Sequence, residues 1–166
     1  GNNASDYYPY RRELPPGTYY FEWRYTTDGA VSFGDDTCRL GLVLFPDGSI
    51  ERFDRPTPPA GWNFKPEADR PGWEIEENPA KADGLGSYQA RARISENNNY
   101  AICRSKSVTF AQTNSIVFYY WISSEAYYDF IEFRAVQADA PTPSFTQVDS
   151  GVYTTDPYVA YPAGHD

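Results

Sequence analysis

The stretch NSIVFYYWISSEAYYDFIEFR, residues 114–134, decides the fold class of this 166-residue chain. Its first half, residues 115–122, carries apolar side chains on both faces of a strand with a period of two. Its second half, residues 127–134, again alternates and is rich in aromatic residues, which favour strands. Because both faces of the first run are apolar, we expect that strand to be covered on both sides. The two runs predict the centre of an all-β domain.

The same period recurs along the rest of the chain, and no window of helix length has an i, i+3, i+4, i+7 apolar pattern. Residues 18–26 alternate, and residues 38–45 are strongly apolar. Pro46-Asp47-Gly48 predicts a tight turn after them, so that the chain returns as a hairpin. Further strands are predicted at residues 49–53, 73–76, 88–94 and 100–110.

Both ends of the chain predict extended arms, because they are rich in proline and tyrosine and have no sustained period. We divide the chain into an N-terminal arm at residues 1–17, a β domain at 18–136 and a C-terminal arm at 137–166. Residues 145–148 and 151–155 are predicted as short edge strands. The arm tyrosines, which we expect to contact the domain or a neighbouring subunit, are Tyr7, Tyr8, Tyr10, Tyr158 and Tyr161.

The amino-acid composition argues against two classes of function and favours one cellular location. The net charge of -9 argues against a phosphate-binding surface for nucleic acid. No window approaches the roughly 20 apolar residues of a membrane span, so membrane insertion is not expected. The 15 tyrosines, the absence of methionine and the lack of a leader segment predict a processed protein that works outside the cell or at its surface.

Cys38 and Cys103 both lie in strand-like segments, and an even pair in an extracellular chain predicts one disulfide. Such a bridge would contribute roughly 4 kcal/mol on the chain-entropy model. The alternative is a pair of buried thiols. Zinc is not expected, because two cysteines and His165 do not supply the usual four ligands. Asn3-Ala4-Ser5 matches the acceptor pattern for N-glycosylation.

Residues 54–72 form a long loop with five prolines, and loops of this length are usually functional or disordered. Trp62 and Phe64 lie within it, and Trp73 follows directly. We interpret these three aromatic residues as a platform that stacks on sugars or contacts a partner. The alternative for Trp62 is an apolar plug over a sheet edge.

Four motifs lie in one part of the chain: Gly72-Trp73, Gly84-Leu85-Gly86-Ser87-Tyr88, Ser107-Val108-Thr109-Phe110, and the 115–133 stretch with its Ser-Ser-Glu-x-x-Tyr-Asp cluster. Together they resemble bacterial secreted and cell-surface jelly-roll modules of the MAM type. The resemblance covers about residues 72–134. It implies that the domain is an antiparallel β-sandwich of the jelly-roll type and that it is non-catalytic.

The cluster between the two central runs is a dense polar set between strands predicted to be buried. Its carboxylates, Glu125 and Asp129, suit a structural Ca²⁺ together with the oxygens of Ser123 and Ser124. The alternative is that the serines and Glu125 satisfy backbone groups at a bend while Asp129 pairs with an arginine. No other cofactor is predicted.

No catalytic site is predicted. His165 is the one histidine, and its position near the end of an arm does not suit a preorganised base. A pair of glycosidase carboxylates stays open as an alternative, because their separation in space is not readable from the sequence.

Two hypotheses for function follow. The first is a non-enzymatic structural or adhesive subunit of a surface filament, appendage or fibre, whose arms contact other copies of the chain or other extracellular subunits. The alternative is a carbohydrate-binding module whose partners are glycans.

Overall fold

A computed structural model describes residues 7–28, 37–77, 87–94, 99–123 and 129–150. Within these ranges the secondary structure is entirely β, so they hold no helix that could cross a membrane. The strands are β1 (Tyr8–Leu14), β2 (Gly17–Thr26), β3 (Thr37–Leu44), β4 (Ile50–Glu51), β5 (Trp73–Glu77), β6 (Tyr88–Ala92), β7 (Tyr100–Arg104), β8 (Val108–Phe110), β9 (Asn114–Ser123), β10 (Phe130–Gln137) and β11 (Thr146–Ser150).

The strands form two antiparallel sheets that pack as a sandwich. Sheet A has the order β1-β9-β3-β6-β5, and β4 also pairs with β3. Sheet B has the order β11-β10-β2-β7, and β8 also pairs with β2. The chain passes from one sheet to the other between β1 and β2, β2 and β3, β6 and β7, β8 and β9, and β9 and β10. The predicted all-β antiparallel sandwich is confirmed.

The core is aromatic because the period of two turns every second ring inward from each sheet. The central stretch supplies both layers, since β9 belongs to sheet A and β10 to sheet B. The ring centroids of Phe118 in β9 and Phe133 in β10 lie 5.0 Å apart, and Trp23 in β2 meets Phe118 edge-on at 5.5 Å. On the opposite face of sheet A Trp121 is only 2% exposed, but Val117 and Tyr119 are half-buried, so the predicted cover on both sides of this strand holds only in part.

The chain ends differ from the predicted arms. Residues 8–14, assigned to the N-terminal arm, form the edge strand β1 of sheet A. Residues 146–150 form the edge strand β11 of sheet B, where a short strand was expected. The sandwich therefore begins ten residues earlier than the boundary at residue 18, because an edge strand tolerates Pro9.

The predicted disulfide between Cys38 and Cys103 is wrong. Both residues are buried free thiols, and burial raises the pKa of each well above its usual value. Cys38 lies in β3 of sheet A, whereas Cys103 lies in β7 of sheet B. Cys38 is close enough to Cys103 to add to the rise in its pKa, but no bond joins their sulfur atoms. The alternative, a pair of buried thiols, is the arrangement observed.

Candidate functional site

The candidate site is the N-terminal strand β1 together with the surface that receives it. β1 pairs antiparallel with β9 along its whole length, from Tyr8 opposite Tyr120 to Leu14 opposite Asn114. Its side chains alternate: Pro9, Arg11 and Glu13 are exposed, whereas the others are half-buried or buried. β1 therefore has the two-faced pattern of an edge strand that covers a core.

The inward side of β1 closes the space between the two sheets. The ring of Tyr10 lies 5.0 Å from Phe118 of sheet A and 5.8 Å from Phe133 of sheet B, measured between ring centroids. Tyr8 contacts Tyr120 at 6.2 Å, and Leu14 is buried at the other end of the strand. Because Tyr10 touches both sheets, β1 completes the core at this edge.

Arg12 adds a charged contact to the same face. Its guanidinium lies 4.9 Å from the ring centroid of Phe133, and its Nη2 donates a hydrogen bond of 2.7 Å to the hydroxyl of Tyr10. A cation over an aromatic face is attracted by the ring quadrupole. The arginine thus covers the aromatic contact between β1 and sheet B.

Tyr7, just before β1, is held on the outer face of sheet A. Its hydroxyl donates a hydrogen bond to Oε1 of Gln89, and its ring lies over Gly41. A Cβ added at Gly41 would lie 2.6 Å from Cε1 of Tyr7. The register between β3 and β9 shifts at Gly41, between Leu40 and Leu42. The missing side chain at the bulge makes room for the ring.

Gln89 links Tyr7 to a carboxylate that organises this outer face. Glu76 accepts hydrogen bonds from the side-chain amide of Gln89, from Nε of Arg39 at 2.7 Å and from Nη1 of Arg91 at 2.9 Å. Burial raises the pKa of Glu76, but the hydrogen bonds and the charges of the two arginines outweigh it and hold the pKa below its usual value. Glu76 therefore stays ionised and fixes Gln89 for its bond to Tyr7.

Substituting Gly41 by alanine is expected to displace the Tyr7 ring and to cost about 1 kcal/mol, as overpacking usually does. The measurement is urea unfolding of the variant, of Tyr7→Ala and of the double variant. In the Tyr7→Ala background the same Gly41→Ala change should be neutral or stabilising, because alanine is better than glycine inside a strand. Equal costs in both backgrounds would show that Gly41 does not serve the ring.

The last described strand, β11, belongs to sheet B and contacts β9 close to the start of β1. Asp149 in β11 is fully buried, and its Oδ2 accepts a hydrogen bond of 2.7 Å from the hydroxyl of Tyr120. Burial raises the pKa of Asp149 to about 7, although the bonds from Tyr120 and from the amide of Ser150 oppose the rise. Tyr120 thus contacts Tyr8 in β1 and Asp149 in β11.

The three loop aromatics do not form an exposed platform. The ring of Trp62 stacks on the core residue Trp23, with centroids 5.7 Å apart and planes 8° apart. Phe64 and Trp73 are buried, and Nε1 of Trp73 donates a hydrogen bond of 3.0 Å to the carbonyl of Ala101. Phe64 and Trp73 therefore do not form a platform, which corrects that interpretation, and the contacts of Trp62 agree with the alternative of an apolar plug.

Most of the remaining predicted site residues lie outside the described ranges. Asp129 is buried, and its Oδ1 accepts a hydrogen bond of 3.1 Å from the amide of Asp28. No group of three or more histidine, cysteine or acidic side chains that could hold a metal ion occurs among the described residues. The predicted site residues that lie outside the described ranges are Glu125, Asn3, Tyr158 and Tyr161.

Sequence reasoning named the tyrosines of β1 but missed the residues that receive them. Gly41 is a single glycine inside an apolar run, which is a signal for a bulge or a close approach. Gln89 alternates with Tyr88 and Ala90, a pattern that favours an exposed polar side chain, yet it is buried. Nothing in the sequence indicated the contact between Tyr120 and Asp149, because their hydrogen bond joins two sheets and two residues that are 29 positions apart.

Comparison with known protein families, curated protein sequences and solved structures found no significant match to this chain. The site is therefore interpreted from its geometry. It holds one segment of chain by strand pairing and aromatic contacts.

Proposed function

We propose that this chain is a non-enzymatic structural or adhesive subunit of an extracellular assembly, such as a surface filament, appendage or fibre. Its two chain ends contact neighbouring subunits. The observation that carries the proposal is that β1 begins and β11 ends at the same corner of the sandwich.

The strand registers place this corner. β9 ends at Ser123 and β10 begins at Phe130, so these strand ends lie where the central stretch passes from sheet A to sheet B. Tyr8, at the start of β1, pairs with Tyr120 near the end of β9. Ser150, at the end of β11, pairs with Phe130. Residues 1–6 and 151–166 therefore continue from adjacent points, where they can act on one neighbour together.

The sequence of these continuations suits protein contacts. Residues 151–166 include Tyr153, Tyr158 and Tyr161, and tyrosine combines a large apolar ring with a hydroxyl at low cost in side-chain entropy. The tyrosine content also supports an extracellular location. Partners of this kind are other copies of the chain or other extracellular subunits.

The carbohydrate-binding alternative loses its motivating observation. It rested on Trp62, Phe64 and Trp73, whose rings pack in or against the core. An enzymatic role also gains no support, since the most strongly perturbed carboxylate of the described residues, Asp149, is sealed inside the sandwich, where a substrate has no access.

A chain limited to residues 7–150 keeps every described strand and tests the proposal. We expect the intact chain to form assemblies larger than a dimer, and we expect the shortened chain to stop at a dimer or a monomer. Light scattering after size-exclusion chromatography measures both masses, and circular dichroism checks that the shortened chain retains its sheets. Assembly of the shortened chain to the same mass as the intact chain would contradict the proposed role of the ends.

A further inference from the structure

We propose that β1 is exchanged between two copies of this chain, so that residues 8–14 of each copy occupy the edge of sheet A in the other. This inference rests on the proposed function and names its pairwise contact. The partner is a second copy, and the surface is the edge of β9 with the aromatic rings beside it.

The first reason is that β1 makes its contacts as a detachable unit. It joins the domain through backbone pairing with β9 and through the inward rings of Tyr8 and Tyr10. The same groups are present on every copy, so each contact made within one chain can be made between two chains. Exchange therefore loses no strand pairing and no core contact. Its equilibrium depends on the linker and on protein concentration.

The second reason is the linker itself. Pro15 and Pro16 are the two residues between Leu14 at the end of β1 and Gly17 at the start of β2. The chain passes from sheet A to sheet B across them. Proline fixes φ near -65° and also restricts the preceding residue to extended conformations. A short and stiff linker makes it harder for β1 to fold back onto its own chain, and hinge loops of this kind favour domain swapping.

The third reason is that the free edge of β1 is protected against addition of a further strand. Within the described residues no strand pairs with that edge. Pro9 lacks an amide hydrogen, and a proline in a paired strand directs its nitrogen away from the ladder. The free edge therefore lacks a donor there, and the exposed charges of Arg11 and Glu13 also discourage edge-to-edge pairing. A second copy engages this edge by replacing β1, because extending the sheet beyond it is disfavoured.

The register supplies a direct test. Glu13 is exposed and lies opposite Ser115 of β9. The pair that Pro9 forms with β9 is non-hydrogen-bonded, because the proline nitrogen faces away from β9. Hydrogen-bonded and non-hydrogen-bonded pairs alternate along two antiparallel strands, and Glu13 and Ser115 lie an even number of residues from the Pro9 pair. They therefore also form a non-hydrogen-bonded pair, whose Cα atoms are about 4.5 Å apart. This spacing is compatible with a disulfide. The amide of Ser115 bonds to the side chain of Asn114, which agrees with this assignment. Among the described residues the hydroxyl of Ser115 has no hydrogen-bond partner, so a thiol there removes no hydrogen bond that the structure describes.

The experiment mixes two chains of different tag length, one carrying Glu13→Cys and the other Ser115→Cys. They are unfolded together, refolded at high concentration, oxidised and separated on a non-reducing gel. Exchange predicts a disulfide-linked dimer that contains both tags, at about twice the mass of the 18.8 kDa chain. Cys38 and Cys103 are buried, so the native chain should remain unlinked.

Two controls make the result decisive. Glu13→Cys mixed with Glu77→Cys, at the opposite edge of sheet A, should give no mixed dimer. A single chain with both Glu13→Cys and Ser115→Cys shows that the pair can link, either within one chain or between two. Linkage in that double variant without any mixed dimer from the two single variants would overturn the exchange. If the intact native chain nevertheless assembles, the proposed function survives that result. If it stays a monomer, both fail.

Discussion

Replacing Trp62 by alanine is expected to lower the free energy of unfolding by about 3 kcal/mol, near the lower end for large aromatic residues because the ring is half-buried. The indole stacks on Trp23 and meets Phe53 edge-on with centroids 5.3 Å apart. Phe53 itself has a positive φ of 50°, which is unusual for a bulky residue, and the packing of Trp62 helps to hold it. Urea denaturation measures the loss.

The matched control for Trp62 is Ile50→Ala. Ile50 is close in sequence and is a large apolar residue, but it is 49% exposed. Its substitution should change the stability by less than about 0.5 kcal/mol, as exposed positions usually do. A Trp62→Ala variant as stable as the Ile50→Ala variant would show that the indole is not a plug. Trp62 would then again be a candidate binding residue.

The second large effect concerns Asp149 and pH. Its pKa in the folded protein is about 7, above the ordinary value of 3.8, so the folded state binds a proton that the unfolded state releases. The contribution of Asp149 to the free energy of unfolding is therefore highest below about pH 4, and it falls as the pH rises to about 7. The full loss is about 4 kcal/mol by linkage. Above pH 7 the contribution is constant.

Asp149→Asn should remove this part of the pH dependence and should be more stable than the native chain at pH 8. Asparagine keeps an acceptor for the Tyr120 hydroxyl but carries no charge. The measurement is the urea midpoint between pH 4 and pH 8. Asp47→Asn is the control, because Asp47 is exposed and its pKa is lowered, so this variant should keep the native fall in stability. Parallel pH profiles for the Asp149→Asn variant and the native chain would contradict the account.

The period of two was enough to predict most of the sandwich. The apolar runs at residues 18–26, 38–45 and 115–122 became β2, β3 and β9 with changes of one residue at their ends. These strands have alternating or apolar side chains over eight to ten residues, so burial on one or both faces follows directly from the pattern. Their assignment to two facing sheets came from a resemblance, and the structure confirms that arrangement.

β1 was missed although its pattern was readable. Tyr8, Tyr10 and Leu14 fall on one side with the period of a strand, but prolines at positions 9, 15 and 16 were interpreted as marks of an irregular arm. An edge strand tolerates proline where its nitrogen faces away from the ladder. Sequence alone does not show which strand lies at an edge, because that depends on the order of strands in the sheet.

The loop aromatics show a different limit. Trp62 lies 39 positions from Trp23, and nothing local distinguishes a tryptophan that folds back onto the core from one that faces solvent. The same holds for Cys38 and Cys103, whose strand positions were predicted correctly while the sheet to which each strand belongs was not readable. In both cases the deciding fact is how distant parts of the chain pack together in the sandwich.

The central claim is that this chain is a subunit that assembles with copies of itself. The most direct test is its mass in solution, measured by light scattering over increasing protein concentration at neutral pH. If the chain assembles with copies of itself, its average mass should lie above the 18.8 kDa of one chain and should rise with concentration. A mass that stays at one chain throughout would contradict it.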